Sequence, residues 1–226
     1  MKKNFNKTAP PTPLSEAEVF LQKEGIEYRH RDDGTIFVPG DIDLSGRGLT
    51  KLPDLSSVHV GGYFWCGNNQ LTSLAGAPQS IGGSFWCNNN HLISLAGVPQ
   101  SVGGYFSCSK NQLTSLVGAP QSIGGDFSCS KNQLTSLAGA PQSVGRYFCC
   151  DDNQLPDLYG APHIFEELQS DFGTFTSCDE IPDDIKISAQ TKKRLEEQLN
   201  EELYNAMYNQ PAMPFKPPPL RKRPGV

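Results

Sequence analysis

The chain has 226 residues and a net charge of -5, so it is long enough for one domain with a substantial core and too acidic for a general binder of nucleic acid or anionic membranes. Only 37% of the residues are hydrophobic, while Gly (22) and Pro (18) are frequent, which is typical of a turn-rich array rather than a helical globule. The lysine-containing N-terminus has no apolar segment behind it and no run approaches the length of a membrane span, so the sequence predicts a cytoplasmic protein that contacts no membrane.

Residues 1–40 are predicted to cap one end of the molecule with a helix and a hairpin. Ser15 and Glu18 have the spacing of a capping box, which predicts a helix over Glu16–Lys23. Polar and apolar residues then alternate around the pair Asp33-Gly34, a pattern typical of a β-hairpin.

Within residues 41–165, five copies of one phrase follow one another every 21 residues from Tyr63. A degenerate copy with one extra residue starts before them at Ile42, and two leucine columns start at Leu71 and Leu74. Three further columns hold one residue type each, namely Phe64, Phe85, Phe106, Phe127 and Phe148; Cys66, Cys87, Cys108, Cys129 and Cys150; and Asn69, Asn90, Asn111, Asn132 and Asn153. A fixed period in the twenties predicts a solenoid in which each copy forms one coil.

Each part of the phrase has a predicted structural task. Alternation around Phe64 predicts a strand with Phe and Cys inward, stacked with its neighbours into a parallel sheet. The Asn column can satisfy backbone groups in successive turns, because an amide side chain both donates and accepts. Pro78 favours an extended return path, and Gly82-Gly83 is interpreted as a pair that allows a tight bend into the next strand. No helix fits in that return, so the second side of each coil is expected to be extended or irregular.

Residues 166–209 are predicted to cap the other end, with a short strand in Phe172–Ser177 and a helix over Ala189–Asn209. One face of this helix carries an apolar stripe of Leu195, Leu199, Leu203 and Met207. The stripe either covers the open end of the solenoid or docks on a partner or a second copy. Residues 210–226 are predicted to be a disordered, Pro-rich basic tail, in which Pro214 and Pro217 have the spacing of polyproline ligands.

The outward positions of the repeated strands hold the candidate binding residues. Both tryptophans of the chain fall on neighbouring strands, and aromatic side chains of this kind are enriched at binding hot spots. The predicted partner-binding set is Tyr63, Trp65, Asn68, Trp86, Asn88, Asn89, Tyr105, Lys110, Lys131 and Tyr147. The alternative is that the aromatic residues only stabilise the sheet. Ser107 and Ser128 occupy the tryptophan position in later copies and are expected to face solvent, so stacking itself does not demand Trp.

No catalytic, metal or cofactor site is predicted. Five of the seven cysteines share the inward column, which indicates reduced core thiols rather than disulfides or a zinc site. Cys149 should be exposed, but no His is placed to activate it, and His163 lies in the next return segment. The stretch Cys178-Asp179-Glu180 lacks the spacer of the Cys-x-Asp signature of leucine-rich-repeat ubiquitin ligases.

The pattern Phe-x-Cys-x-x-Asn-x-Leu-x-x-Leu resembles the leucine-rich repeat, with Phe and Cys where that family usually has Leu. Copies such as LTSLAGAPQSIGG, after an opening DIDLSGRGLTKLP, are similar to the leucine-rich repeat proteins of tailed bacteriophages and their hosts. The resemblance covers residues 41–165. It implies a β-rich leucine-rich repeat solenoid with a parallel sheet on its concave face, an extended or irregular convex side and helical caps at both ends.

The same resemblance implies a non-catalytic scaffold that binds a partner protein on the concave face, with a host factor as the partner of a phage protein. Two alternatives stay open. A nucleic-acid accessory would use Lys110, Lys131 and the basic tail on phosphates and the tryptophans on bases. A structural array would self-associate through its C-terminal helix.

Overall fold

The computed structural model describes residues 13–187 and 189–208, without the side chains of residues 189–190 and 204–208. They belong to two compact units, which divide between Ser188 and Ala189. In chain order the elements are α1 (Glu16–Lys23), β1 (Arg29–His30), β2 (Ile36–Val38), β3 (Ile42–Asp43), β4 (Val58–Val60), β5 (Phe64–Trp65), β6 (Ser80–Ile81), β7 (Phe85–Trp86), β8 (Ser101–Val102), β9 (Phe106–Ser107), β10 (Ser122–Ile123), β11 (Phe127–Ser128), β12 (Ser143–Val144), β13 (Tyr147–Cys149), β14 (Glu167–Ser170), β15 (Gly173–Phe175), a 3₁₀ turn (Cys178–Glu180), α2 (Asp183–Lys186) and α3 (Ala189–Tyr208).

The first unit is a β-solenoid, as the repeat predicts, and it is built from two sheets. An eight-stranded sheet has the order β15-β14-β13-β11-β9-β7-β5-β3 and contains the Phe-x-Cys strands. A seven-stranded sheet has the order β1-β2-β4-β6-β8-β10-β12. Neighbouring repeat strands are parallel and pair in 21-residue register, with Phe64 opposite Phe85 in one sheet and Ile81 opposite Val102 in the other.

The second sheet shows that the return side of each coil is extended, which was one of the two predicted alternatives. The return segment contains a two-residue strand, such as Ser80–Ile81, whose Ile is buried and lies beside Val60 and Val102 of the adjacent coils. Equivalent short segments held at one spacing can pair their backbones even without a strong strand propensity, so the repeat itself creates the sheet.

The core lies between the two sheets. The rings of Phe64, Phe85, Phe106, Phe127 and Phe148 are fully buried, and successive ring centroids lie 5.2–5.5 Å apart. The column cysteines are also fully buried as free thiols, and the two leucine columns fill the remaining space. Burying one such side chain contributes about 1.5–3 kcal/mol, so each coil adds a similar increment of stability.

The asparagine column links successive coils, which confirms its predicted task. The side-chain amide nitrogen of Asn90 donates to the carbonyl oxygens of Cys66 (3.0 Å) and Cys87 (3.1 Å), and its oxygen accepts from the backbone N–H of Leu71 (3.0 Å). Asn111 and Asn132 repeat these contacts one coil further on. Among the described residues, no buried side-chain nitrogen or oxygen lacks a hydrogen-bond partner.

The repeated glycine pair lies at the predicted bend and also at a close contact between coils. Gly82 does not have a positive φ; the repeat glycine with a left-handed backbone is Gly76, at φ 88°. A Cβ atom on Gly82 would lie 2.6 Å from the carbonyl oxygen of Gly61, and one on Gly103 only 2.0 Å from that of Gly82. The chain bends at this pair, as predicted, but glycine is needed there because adjacent coils approach closely.

The elements before the repeats agree with the sequence. Helix α1 spans Glu16–Lys23, and both hydrogen bonds of the Ser15–Glu18 capping box are present. Strands β1 and β2 form the predicted antiparallel hairpin, and β2 continues in parallel into the seven-stranded sheet. Arg47 of the first coil forms an ion pair of 2.6 Å with Glu24, next to the end of α1.

After the repeats, the sequence-based prediction was incomplete. The predicted strand in Phe172–Ser177 exists as Gly173–Phe175, but it runs antiparallel to a strand that was missed, Glu167–Ser170. That missed strand, β14, continues the parallel sheet beside β13, with the fully buried Leu168 in the phenylalanine column.

The described part of the second unit is the helix α3, which confirms the predicted helix over these residues. Leu199 and Leu203 of its apolar stripe are 57% and 52% exposed, whereas Leu195 is half-buried. The side chain of Met207 and the predicted Pro-rich tail lie outside the described residues, and a capping role for α3 stays a prediction.

Candidate interaction face

The predicted aromatic residues come together on the outer face of the eight-stranded sheet. Trp65 and Trp86 lie opposite each other on neighbouring strands, with ring centroids 5.5 Å apart and planes at 22°. Tyr63 and Tyr105 contact Trp86 edge-on, at 5.6 and 5.7 Å. We call these four residues the aromatic ridge. Tyr63 is 43% exposed and the other three are half-buried, so the ridge presents ordered aromatic surface to solvent.

The column at the start of each strand alternates between a tyrosine and a short polar residue, for a reason that sequence reasoning missed. The Asp41 carboxylate accepts a hydrogen bond from the backbone N–H of Tyr63 (2.7 Å), and the Ser84 hydroxyl accepts from that of Tyr105 (2.9 Å). Asp126 accepts from the N–H of Tyr147 at 3.4 Å. The two-coil alternation of Asp or Ser with Tyr was the available signal. Because of this alternation, a tyrosine side chain points outward in every second coil.

The polar residues of the predicted set sit in the turns that follow the strands. Asn68, Asn89, Lys110 and Lys131 all have a left-handed backbone, with φ between 55° and 59°. Asn tolerates this conformation better than other residues that carry a side chain, so the two asparagines are explained by the turn. Asn89 also donates to the side-chain oxygen of Asn68 at 2.9 Å. The lysines are not explained in this way. Both are exposed.

Asn88 has a packing task as well. A Cβ atom on Gly67 would lie 2.8 Å from the side-chain oxygen of Asn88, so the absence of a side chain at residue 67 makes room for this amide. Asn88 is half-buried and faces the same side of the sheet as the tryptophans.

Beyond the ridge, the face falls into a depression of about 360 Å³ that we call the basin. Ser128 and Cys149 occupy the column that holds tryptophan in the earlier coils, and their small side chains leave the space open. The remaining lining residues come from four neighbouring coils and are Tyr105, Asp126, Tyr147, Glu167 and Gln169. Ser107, expected to face solvent, is only 3% exposed.

Two basin residues, Glu167 and Gln169, were missed from the sequence. They belong to β14, which has neither the Phe nor the Cys of the repeat and pairs with β13 at a spacing of 20 residues, Cys149 opposite Gln169. Leu168, 20 residues after Phe148, was the one signal that this coil continues the sheet.

The thiol at the basin floor is held in its protonated form. Partial burial, followed by the nearby carboxylates of Asp151, Asp126 and Glu167, raises the pKa of Cys149 to about 11. Its sulfur contacts the Gln169 side-chain oxygen at 3.6 Å. A thiolate is the reactive form of cysteine, so this environment disfavours nucleophilic chemistry at neutral pH. Within residues 13–187 and 189–208, no group of three or more His, Cys, Asp or Glu side chains is arranged to hold a metal ion.

Charged residues lie along one side of the basin. The Arg146 guanidinium lies 5.0 Å from the centre of the Tyr147 ring and 3.8 Å from the Asp126 carboxylate. Lys131 and Asp152 form an exposed pair at 3.6 Å. The face therefore changes from aromatic at the ridge to acidic around the basin, with Lys110 and Lys131 along one margin.

The fold defines the class of this protein as a β-solenoid of 21-residue coils. Searches against protein-family models, curated proteins and solved structures gave no match for this chain. None of the helices in the described part of the chain has the length and apolar character to cross a membrane.

Proposed function

We propose that this chain is a non-catalytic, cytoplasmic recognition protein that binds a partner protein across the aromatic ridge. The proposal includes its assignment to the leucine-rich repeat proteins of the bacteriophage and bacterial type, with the eight-stranded sheet as their concave face and a host factor as the partner. The repeat phrase and the parallel sheet support this assignment.

One observation carries the proposal: the chain places both of its tryptophans in a solvent-facing stack that the fold does not need. The inward Phe and Cys columns and the Asn column supply the packing and the turns in the five coils that carry the repeated phrase. Later coils form the same strands with Ser107 or Ser128 in the tryptophan column. Large aromatic side chains carry much of the energy of protein interfaces, so a stack that is not required for folding fits a contact surface.

The charges on the face favour a protein partner over nucleic acid. Glu167 would repel phosphates, and Lys131 is already paired with Asp152. A partner protein can place a cation against the Glu167 carboxylate.

Affinity isolation from the native cell tests the proposal, with wild type compared with the Trp65→Ser, Trp86→Ser double variant. Tyr159→Ser is the matched control, because Tyr159 is also exposed but is not part of the aromatic ridge. We expect the control to retain the partner and the double variant to lose it, with a binding deficit of about 2 kcal/mol. Equal capture by all three proteins would contradict the site.

A second candidate function is self-association through α3. The exposed Leu199 and Leu203, one helical turn apart, favour it, because an amphipathic helix can bury such a stripe against a second copy.

A further inference from the structure

The basin complements the ridge in shape. Between β7 and β13 the tryptophan column changes from Trp86 through two serines to Cys149, so a raised aromatic surface is followed directly by a cavity. Tyr105 belongs to both, because its ring contacts Trp86 and also lines the basin. A partner that packs on the ridge therefore has a cavity beside it that one of its side chains can fill.

The charge of the basin selects the kind of side chain. Asp126 and Glu167 line it, and no lysine, arginine or histidine does. Gln169 donates to the Glu167 carboxylate at 2.6 Å, which holds that acid on the basin wall. Burial, and after it the carboxylates of Asp151, Asp126 and Glu167, raises the pKa of Cys149, as expected beside a negative potential.

The aromatic walls select further among cations. Tyr105 and Tyr147 lie on either side of the Asp126 coil, so two rings and two carboxylates surround one space. A planar guanidinium can lie against a tyrosine ring while it donates hydrogen bonds to carboxylates. The chain itself gives an example of this arrangement, because Arg146 lies over the ring of Tyr147 within reach of Asp126 without lining the basin.

We infer that the basin is a binding pocket for an arginine side chain of the partner protein, held between Tyr105 and Tyr147 and paired with Glu167 and Asp126. This inference rests on the proposed function and specifies the partner's chemistry. The aromatic ridge makes apolar contacts with the partner, and the basin next to it binds a cationic side chain of the partner.

The probe for this pocket is acetyl-arginine amide, with the neutral acetyl-citrulline amide as its control. Binding is followed by NMR through the backbone amide signals of basin residues in the full chain. We expect the arginine compound to shift the signals of Tyr147, Cys149 and Gln169, with an affinity about tenfold higher than that of the citrulline compound, because only the guanidinium carries charge.

Two acid variants provide the matched comparison. Glu167→Gln removes a basin carboxylate, whereas Glu166→Gln makes the same charge change at an exposed neighbour that does not line the basin. We expect Glu167→Gln to weaken binding of the arginine compound about fivefold or more and Glu166→Gln to change it less than about twofold. Equal loss in both variants would leave only a general electrostatic attraction and would overturn the pocket.

Filling the basin gives a test that does not depend on charge. Ser128→Trp restores the residue that the same column holds at Trp65 and Trp86, so the fold already accommodates it in two coils. We expect this variant to keep a dispersed spectrum and to lose the shifts caused by the arginine compound. Retained binding, or equal binding of the citrulline compound to wild type, would refute the inference. Loss of partner capture by the ridge variant would still support the proposed function in that case.

Discussion

Replacing Asn111 by Ala tests how the coils are held together. The Asn111 side chain is 8% exposed; its oxygen accepts from the Leu92 N–H at 3.0 Å, and its nitrogen donates to the carbonyl oxygens of Cys87 (3.1 Å) and Cys108 (3.0 Å). The two carbonyls keep a second donor, from Asn90 and Asn132 respectively, whereas the Leu92 N–H loses its side-chain acceptor. An orphaned buried donor costs about 1–3 kcal/mol and each lost hydrogen bond about 1 kcal/mol, so we expect a loss of about 4 kcal/mol.

Urea unfolding followed by circular dichroism measures this loss as the change in the free energy of unfolding. Gln112→Ala is the control, because Gln112 is the next residue and is exposed. The hydrogen bond of its side-chain amide is to the His91 side chain. We expect Gln112→Ala to change the free energy of unfolding by less than about 0.5 kcal/mol. A loss below about 1 kcal/mol for Asn111→Ala would refute the asparagine column as the main link between turns.

Three other predictions concern the backbone, the thiols and the second unit. Gly103→Ala should destabilise the protein by at least about 2 kcal/mol in urea unfolding, because its Cβ would meet a carbonyl oxygen at 2.0 Å. Gly40→Ala is the control and should be tolerated, because a Cβ there has nothing within 4 Å. Equal effects of the two substitutions would contradict the close approach of the coils. Burial raises the thiol pKa to about 12 for Cys108, so the contribution of this thiol to folding stability should be constant below about pH 8.5. It should fall as the pH rises from there towards 12, since only the unfolded thiol ionises. An unfolding midpoint in urea that stays unchanged from about pH 8 to 10.5 would contradict this. The second candidate function predicts a dimer by analytical ultracentrifugation that becomes a monomer when Leu199 and Leu203 are replaced by Asp, and a monomeric wild type would rule it out.

The repeat made most of the architecture predictable. A period without slips fixes which residues recur at each level, so the inward Phe64 and Cys66, the stacked Trp65 and Trp86 and the tasks of the Asn column followed from one alignment of the chain with itself. The helix Glu16–Lys23 was predictable because a capping box is a local signal that needs no knowledge of tertiary contacts.

The rest depended on contacts between coils, which the sequence of one coil does not specify. The return sheet forms because equivalent segments are held side by side, although Ser80–Ile81 is too short to be identified as a strand by pattern. The purpose of Gly82 became clear only from its distance to the neighbouring coil.

The basin was missed for a related reason. It is closed by β14, where the 21-residue spacing ends and Leu168 replaces the phenylalanine of the repeat. The left-handed turns at Lys110 and Lys131 were also hidden, because lysine is not a residue that signals this conformation.

The central claim is that folding does not require the aromatic ridge and that the ridge binds the partner. Calorimetric titration of this protein with the captured partner tests the claim most directly. For the Trp65→Ser, Trp86→Ser variant we predict a Kd raised about 30-fold or more, together with a free energy of unfolding within about 1 kcal/mol of wild type. An unchanged Kd, or a loss of binding that follows a loss of folded protein, would contradict the account.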